Sequence, residues 1–133
     1  SVSYPNKNDP KFINIVISVQ TKLKSQDLMN CLLSIEEKLG RKRLKKNDPR
    51  TCDIDIIDFN GKIINLKFNN LDLNIPHKKM VERNFVLYPL KEICPNWSHP
   101  QTKDSIDILI KNLKTSNNEI TKLNQNDIIT HVK

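Results

Sequence analysis

Between residues 12 and 22 the side chains Ile13, Ile15, Val16, Ile17, Val19 and Thr21 follow one another with little polar interruption. That pattern predicts a strand buried on both faces, central in a sheet. The rhythm then changes. Leu28, Leu32, Ile35 and Leu39 recur at intervals of three or four up to Gly40. With Ser25 as N-cap and Asp27 at the positive end of the dipole, they predict an amphipathic helix with those four residues facing inward. Residues 51–59 alternate again and predict a second strand.

Asn60-Gly61 and Asn69-Asn70 are turn pairs around the short apolar runs 62–66 and 71–75, which predict a small hairpin. Residues 76–82 suit a short helix and residues 84–90 a strand or extended segment. Residues 104–113 suit a helix built on Ile106, Leu109, Ile110 and Leu113. Residues 1–10, with Pro5 and Pro10, predict a loop. In the Asn- and Lys-rich tail only residues 127–132 have strand character, and no internal repeat is present.

At 133 residues the chain is one domain's worth. Its net charge of +7, from 22 basic and 15 acidic residues, favours polyanionic partners without choosing among them. The lysines are spread along the chain and aromatics are few (one Trp, two Tyr, four Phe), so a base-stacking nucleic-acid surface is not indicated. Cys31, Cys52 and Cys94 are far apart and have no zinc-site spacing, which predicts reduced thiols in a cytoplasmic protein. No apolar stretch is long enough for a membrane helix.

The sharpest chemical feature is Arg50-Thr51-Cys52-Asp53-Ile54-Asp55-Ile56. On a strand, Asp53 and Asp55 share a face with Cα atoms about 7 Å apart, while Cys52, Ile54 and Ile56 take the other. Two convergent carboxylates suit Mg²⁺, which takes one or two carboxylates plus water and phosphate oxygens. A bare Asp-x-Asp also fits the solvated face of an ordinary strand. The basic loop before it, with five basic residues among positions 41–46, supplies charge for phosphates.

Four ordered blocks carry a resemblance. Arg50-Thr51-x-Asp53-x-Asp55-Ile56 resembles the signature of the 6-hydroxymethyl-7,8-dihydropterin pyrophosphokinase family. Phe12-Ile13-Asn14 resembles its pterin block, and Ile35-Glu36 with Gly40-Arg41-x-Arg43 the end of its middle helix. Pro76-His77-x-x-Met80-x-x-Arg83-x-Phe85-Val86-Leu87-x-Pro89-Leu90 is the longest match, followed by Glu92-Ile93 and Pro95. The resemblance covers roughly residues 1–110 and leaves residues 115–133 poorly matched.

It implies a single α+β domain over residues 1–133, with a ferredoxin-like antiparallel sheet and helices in a three-layer α/β/α arrangement. Two Mg²⁺ ions on Asp53 and Asp55 would bridge the phosphates of ATP and the pterin hydroxymethyl oxygen. Arg41, Arg50, His77 and Arg83 would neutralise the triphosphate, Arg43 would assist, and Glu36 would lie at the nucleotide site. Asn14 would bond the pterin edge, Asp53 would also face the pterin, and Phe12 and Phe85 would sandwich its ring. The oxygen attacks the β-phosphorus and AMP leaves, with alignment and charge neutralisation as the catalytic means. His99, His131 and Trp97 are read as core or surface residues.

The match also departs from the family pattern. Family members begin with a strand, a Gly-Ser-Asn stretch and a helix that these residues do not contain, so the first strand is expected to be trimmed or supplied from elsewhere. Leu33 stands where a polar nucleotide contact is usual, the loop between Arg43 and Pro49 is short, and residues 5–10 replace a longer loop. Competing expectations are a non-catalytic relative binding nucleotide or RNA through its basic surface, and a piece of a larger folate enzyme. A cytoplasmic monomer acting on ATP and the pterin is the main expectation.

Overall fold

The computed structural model describes residues 13–40, 53–68, 70–114 and 120. It is an α+β arrangement. Helix α1 (Ser25–Lys38) is followed by strands β1 (Ile64–Phe68) and β2 (Leu71–Ile75), a 3-10 turn (Met80–Glu82), helix α2 (Asn84–Ile93) and helix α3 (Ile106–Lys111). Residues 1–12, 41–52 and most of the tail fall outside the description, and with them the expected loop at 1–10, the basic loop and the strand at 127–132.

Helix α1 forms where expected, but its details differ. Lys24, in extended backbone, takes the capping position in place of Ser25, with no side-chain cap. Asp27 in the first turn and Lys38 in the last complement the dipole. Gly40 ends the helix with φ 95°, a conformation costly for any residue with a Cβ, as its N–H donates to the Glu37 carbonyl at 3.1 Å. The inward face is rotated from the expected one. Leu28, Met29 and Leu32 pack against the hairpin, whereas Ile35 and Leu39 are 39% and 47% exposed. Positions 28, 32 and 36 form one i, i+4 row, and the stripe beside it is left to solvent.

The hairpin follows its turn chemistry. Ile64 pairs with Ile75 and Leu66 with Leu73, so the four share one face over Ile56, Phe59 and α1. The pairs Asn65 with Asn74 and Lys67 with Asp72 occupy the other face. Upstream, Asn60 (φ 55°) and Gly61 (φ 68°) form a type I′ turn closed by the Lys62 N–H to the Phe59 carbonyl at 3.0 Å.

Three expectations require correction. Residues 13–22 form no helix and pair with no strand among the described residues. Ile13, Ile15, Ile17 and Val19 are 55–70% exposed, and of the expected two buried faces only Val16 packs on the core. Residues 53–58 likewise lie in no ladder among the described residues, although Ile56 is buried in the hairpin cluster and Ile57 packs on the helical one. The segment therefore runs between two cores, which holds its acidic positions at the surface between them.

The third correction is α2, expected as a strand. Phe85-Val86 and Pro89 argue against a helix locally, since Pro89 lacks the N–H that would reach the Phe85 carbonyl. Tertiary packing overrides that preference: Val86, Leu87 and Leu90 lie at helical spacing against Met80, Ile106 and Leu109. The short helix expected at 76–82 shrinks to one 3-10 turn that buries Met80 completely. In α3, Ser105 Oγ accepts from the Ile108 N–H at 3.2 Å and caps the helix. His99 is buried in the preceding loop. Its Nδ1 accepts from the N–H groups of Gln101 (3.1 Å) and Thr102 (3.2 Å), and its ring meets Trp97 edge-on, so its role is structural.

Candidate functional site

A cleft of about 380 Å³ lies where residues 13–16, α1, residues 53–57, β2 and the start of α2 meet. That volume falls within the range of small-molecule sites. Asp53 and Asp55 line it, both exposed, with Ile54 between them. Behind them stands Glu36, only 3% exposed. Its Oε2 accepts the Ile54 N–H at 2.9 Å, so this carboxylate is no ordinary surface group of a helix.

The far blocks of the sequence converge here. Arg83 Nη1 lies 3.8 Å from Asp55 Oδ2, with side chains 26% and 49% exposed respectively. The Arg83 guanidinium also sits 5.6 Å from the centre of the Phe85 ring, within cation–π range. Phe85 lines the cleft and at the same time packs on the α2–α3 core, so one ring serves both roles. Asn14, half-buried, enters from the segment that precedes α1. Phe12, Arg41, Arg43 and Arg50 lie outside the described residues.

His77 follows the cis Ile75–Pro76 bond, and its Nδ1 accepts the Lys79 N–H at 3.2 Å. An acceptor nitrogen carries no proton, so the neutral ring holds its proton on Nε2. Burial lowers its pKa below 6.5, opposed by the Asp55 charge and reinforced by Arg83 and Lys79. His77 is thus a neutral hydrogen-bond donor near pH 7 rather than a cation. A lowered histidine pKa means that the unfolded chain binds more protons below 6.5, so this contribution to stability is whole above 6.5 and erodes as the pH falls below it. In urea titrations at a series of pH values, we predict that His77→Gln loses less stability than the parent on acidification. Parallel curves would show that His77 titrates normally.

Does the acidic pair fit a metal? Both carboxylates are hard oxygen donors on a solvated wall, the donor set that a dication with water and phosphate ligands prefers. No group of three or more His, Cys, Asp or Glu residues gathers into a metal cage among the described residues, so the site offers a pair of ligands rather than a closed shell. Besides Asp53, Asp55 and Glu36, a fourth carboxylate, Asp72 of β2, lines the cleft and was not anticipated, because in sequence it reads as an exposed strand residue opposite Lys67. Leu33, Met29, Leu71 and Leu73 add an apolar wall that the sequence reading had not assigned.

A family model described as 7,8-dihydro-6-hydroxymethylpterin-pyrophosphokinase matches residues 1–95. The folic acid synthesis protein FOL1 of Dictyostelium discoideum is 41% identical over 118 residues, covering 89% of this chain and 17% of that protein. The 2-amino-4-hydroxy-6-hydroxymethyldihydropteridine pyrophosphokinase of Synechocystis sp. is 39% identical over 102 residues, 77% of this chain and 50% of its own length. That of Aquifex aeolicus is 37% identical over 94 residues, 71% of this chain and 56% of its own. The chain thus spans about half the length of the bacterial relatives it matches. No helix among the described residues is long and apolar enough to cross a membrane.

Proposed function

The chain belongs to the 7,8-dihydro-6-hydroxymethylpterin-pyrophosphokinase family, and on that premise we propose that it transfers the β,γ-pyrophosphoryl group of ATP to 6-hydroxymethyl-7,8-dihydropterin in folate synthesis. The hydroxymethyl oxygen forms a bond to the β-phosphorus, the bond from that phosphorus to the α-phosphate bridging oxygen breaks, AMP departs, and the hydroxyl proton passes to solvent. The observation that carries this reading is convergence. Asn14, Asp53, Asp55, Arg83 and Phe85, from three separate stretches of sequence, line one cleft.

Asp53 and Asp55 would hold two Mg²⁺ ions, which when bound supply charge neutralisation on the phosphates. Arg83, at the same wall, adds a fork of donors for phosphate oxygens, and His77 Nε2 donates one neutral hydrogen bond beside it. Phe85 offers a ring face to the pterin and Asn14 a mixed donor and acceptor edge. Asp53 faces the pterin as well. Met29, Leu33, Leu71 and Leu73 give a flat base an apolar bed in place of the polar contact expected at position 33. Phe12, Arg41, Arg43 and Arg50 keep the roles that the resemblance assigns them: the second ring face and the triphosphate cations.

The same proposal includes one domain, the three-layer ferredoxin-like sheet and a monomer in the cytoplasm. The apolar runs in the sequence at 12–22 and 51–59 support the sheet, and the free Cys31 and Cys94 support a reducing compartment. The test follows AMP release by the chain from ATP and Mg²⁺. AMP should form only when 6-hydroxymethyl-7,8-dihydropterin is present and should cease on chelation of the metal. A folded chain that binds ATP and the pterin yet releases no AMP would end the catalytic reading.

A further inference from the structure

The carboxylate behind the acidic pair is bonded to the chain between the two aspartates. We propose that Glu36 is a positioning residue for the metal-ligand pair, acting through the peptide of Ile54; this rests on the reading of Asp53 and Asp55 as the ligands. The Ile54 N–H lies between the two aspartates in the chain, and it donates to Glu36 Oε2 at 2.9 Å. That length falls in the range of charge-assisted bonds to a carboxylate.

Among the described residues, 53–58 lie in no ladder, and the bond from α1 is the contact that fixes the peptide between the two acidic side chains. Glu36 is itself held firmly: it is 3% exposed, and its helix is anchored through Leu28, Met29 and Leu32 to the hairpin. Rotation about Ile54 would swing Asp53 and Asp55 apart, and a two-carboxylate site binds a dication well only when both converge. Outer partners that fix ligand orientation in this way govern affinity without touching the ion.

The test uses Mn²⁺ as the probe, binding to the full chain in the presence of a non-hydrolysable ATP analogue and followed by electron spin resonance. Hydrogen exchange of the Ile54 amide and thermal unfolding are read on the same samples. Glu36→Ala and the volume-matched Glu36→Met remove the acceptor, whereas Glu36→Gln keeps an oxygen for the Ile54 N–H. The expected result is Mn²⁺ binding weakened about 10-fold in the Ala and Met variants, with Ile54 protection lost, and within about 3-fold of the parent in the Gln variant. Asp53→Ala and Asp55→Ala should abolish tight Mn²⁺ binding. If the aspartate variants lose the metal while Glu36→Met binds it like the parent, the positioning role is overturned and the metal reading stands. A Gln variant as weak as the Met variant overturns it too, because charge rather than the hydrogen bond would then be at work. Aspartate variants that bind Mn²⁺ normally would remove the metal reading and this proposal with it.

Discussion

Replacing either Asp53 or Asp55 by alanine is expected to lower pterin-dependent AMP formation by about 10³-fold or more, since metal ions at a phosphoryl centre supply several kcal/mol and each decade of rate is about 1.4 kcal/mol. Initial rates against Mg²⁺ concentration measure this. The loss should appear in kcat and persist at saturating ATP, because the missing charge matters most where charge develops on the phosphates. Asparagine at either position should fail nearly as badly, since it keeps the shape and an oxygen but removes the charge. Folding should be little affected: both residues are exposed, and exposed substitutions of this kind shift stability by about 0.5 kcal/mol or less. A variant that retains near-parental kcat would show that the pair is an ordinary solvated strand face.

The largest stability effect is expected at Leu87, which is 0% exposed at the centre of the cluster with Met80, Leu90, Ile106 and Leu109. Leu87→Ala should cost about 2–5 kcal/mol, from lost transfer energy plus the cavity left behind. Against a total of about 5–15 kcal/mol for a typical domain, that is enough to lower the melting temperature by many degrees or to leave part of the population unfolded. Denaturant titration decides it. A loss below about 1 kcal/mol would mean that residues 84–93 do not form the buried helix described, because only helical spacing places Val86, Leu87 and Leu90 on one inward face. Since α2 also begins beside Arg83 and carries Phe85, any fall in activity should track the folded fraction rather than raise the KM for ATP.

Legibility in the sequence followed the range of the forces involved. The turns at Asn60-Gly61 and Asn70 rest on local backbone preference, so the hairpin was read with nearly correct limits. Helix α1 was read from its period, but the face it buries depends on what lies beside it, and Ile35 and Leu39 turned outward. Helix α2 was misread because Pro89 and the β-branched Val86 speak locally against a helix that distant partners stabilise. At the site, Asp53, Asp55, Arg83 and Phe85 stood out by residue type and spacing, and the structure brings all four to one cleft. What sequence could not disclose was contact across the fold: Glu36 reaching Ile54, 18 positions away, and Asp72 arriving from β2. The same holds for His77, whose lowered pKa comes from burial and whose Nδ1 accepts the Lys79 N–H, neither of which its sequence neighbourhood reveals.

On the proposed reading, the loose pair between Arg83 and Asp55 would let the cleft exchange one cation for another. At 3.8 Å and with Asp55 half in solvent, the contact is worth no more than about 1 kcal/mol, so a dication arriving at Asp55 displaces the guanidinium at little cost. On the proposed reading the freed arginine, beside Phe85 on the same cleft, would then be available to the phosphates. Uptake of a cation would thereby create an anion receptor in the same step, so that metal and nucleotide would be drawn in together.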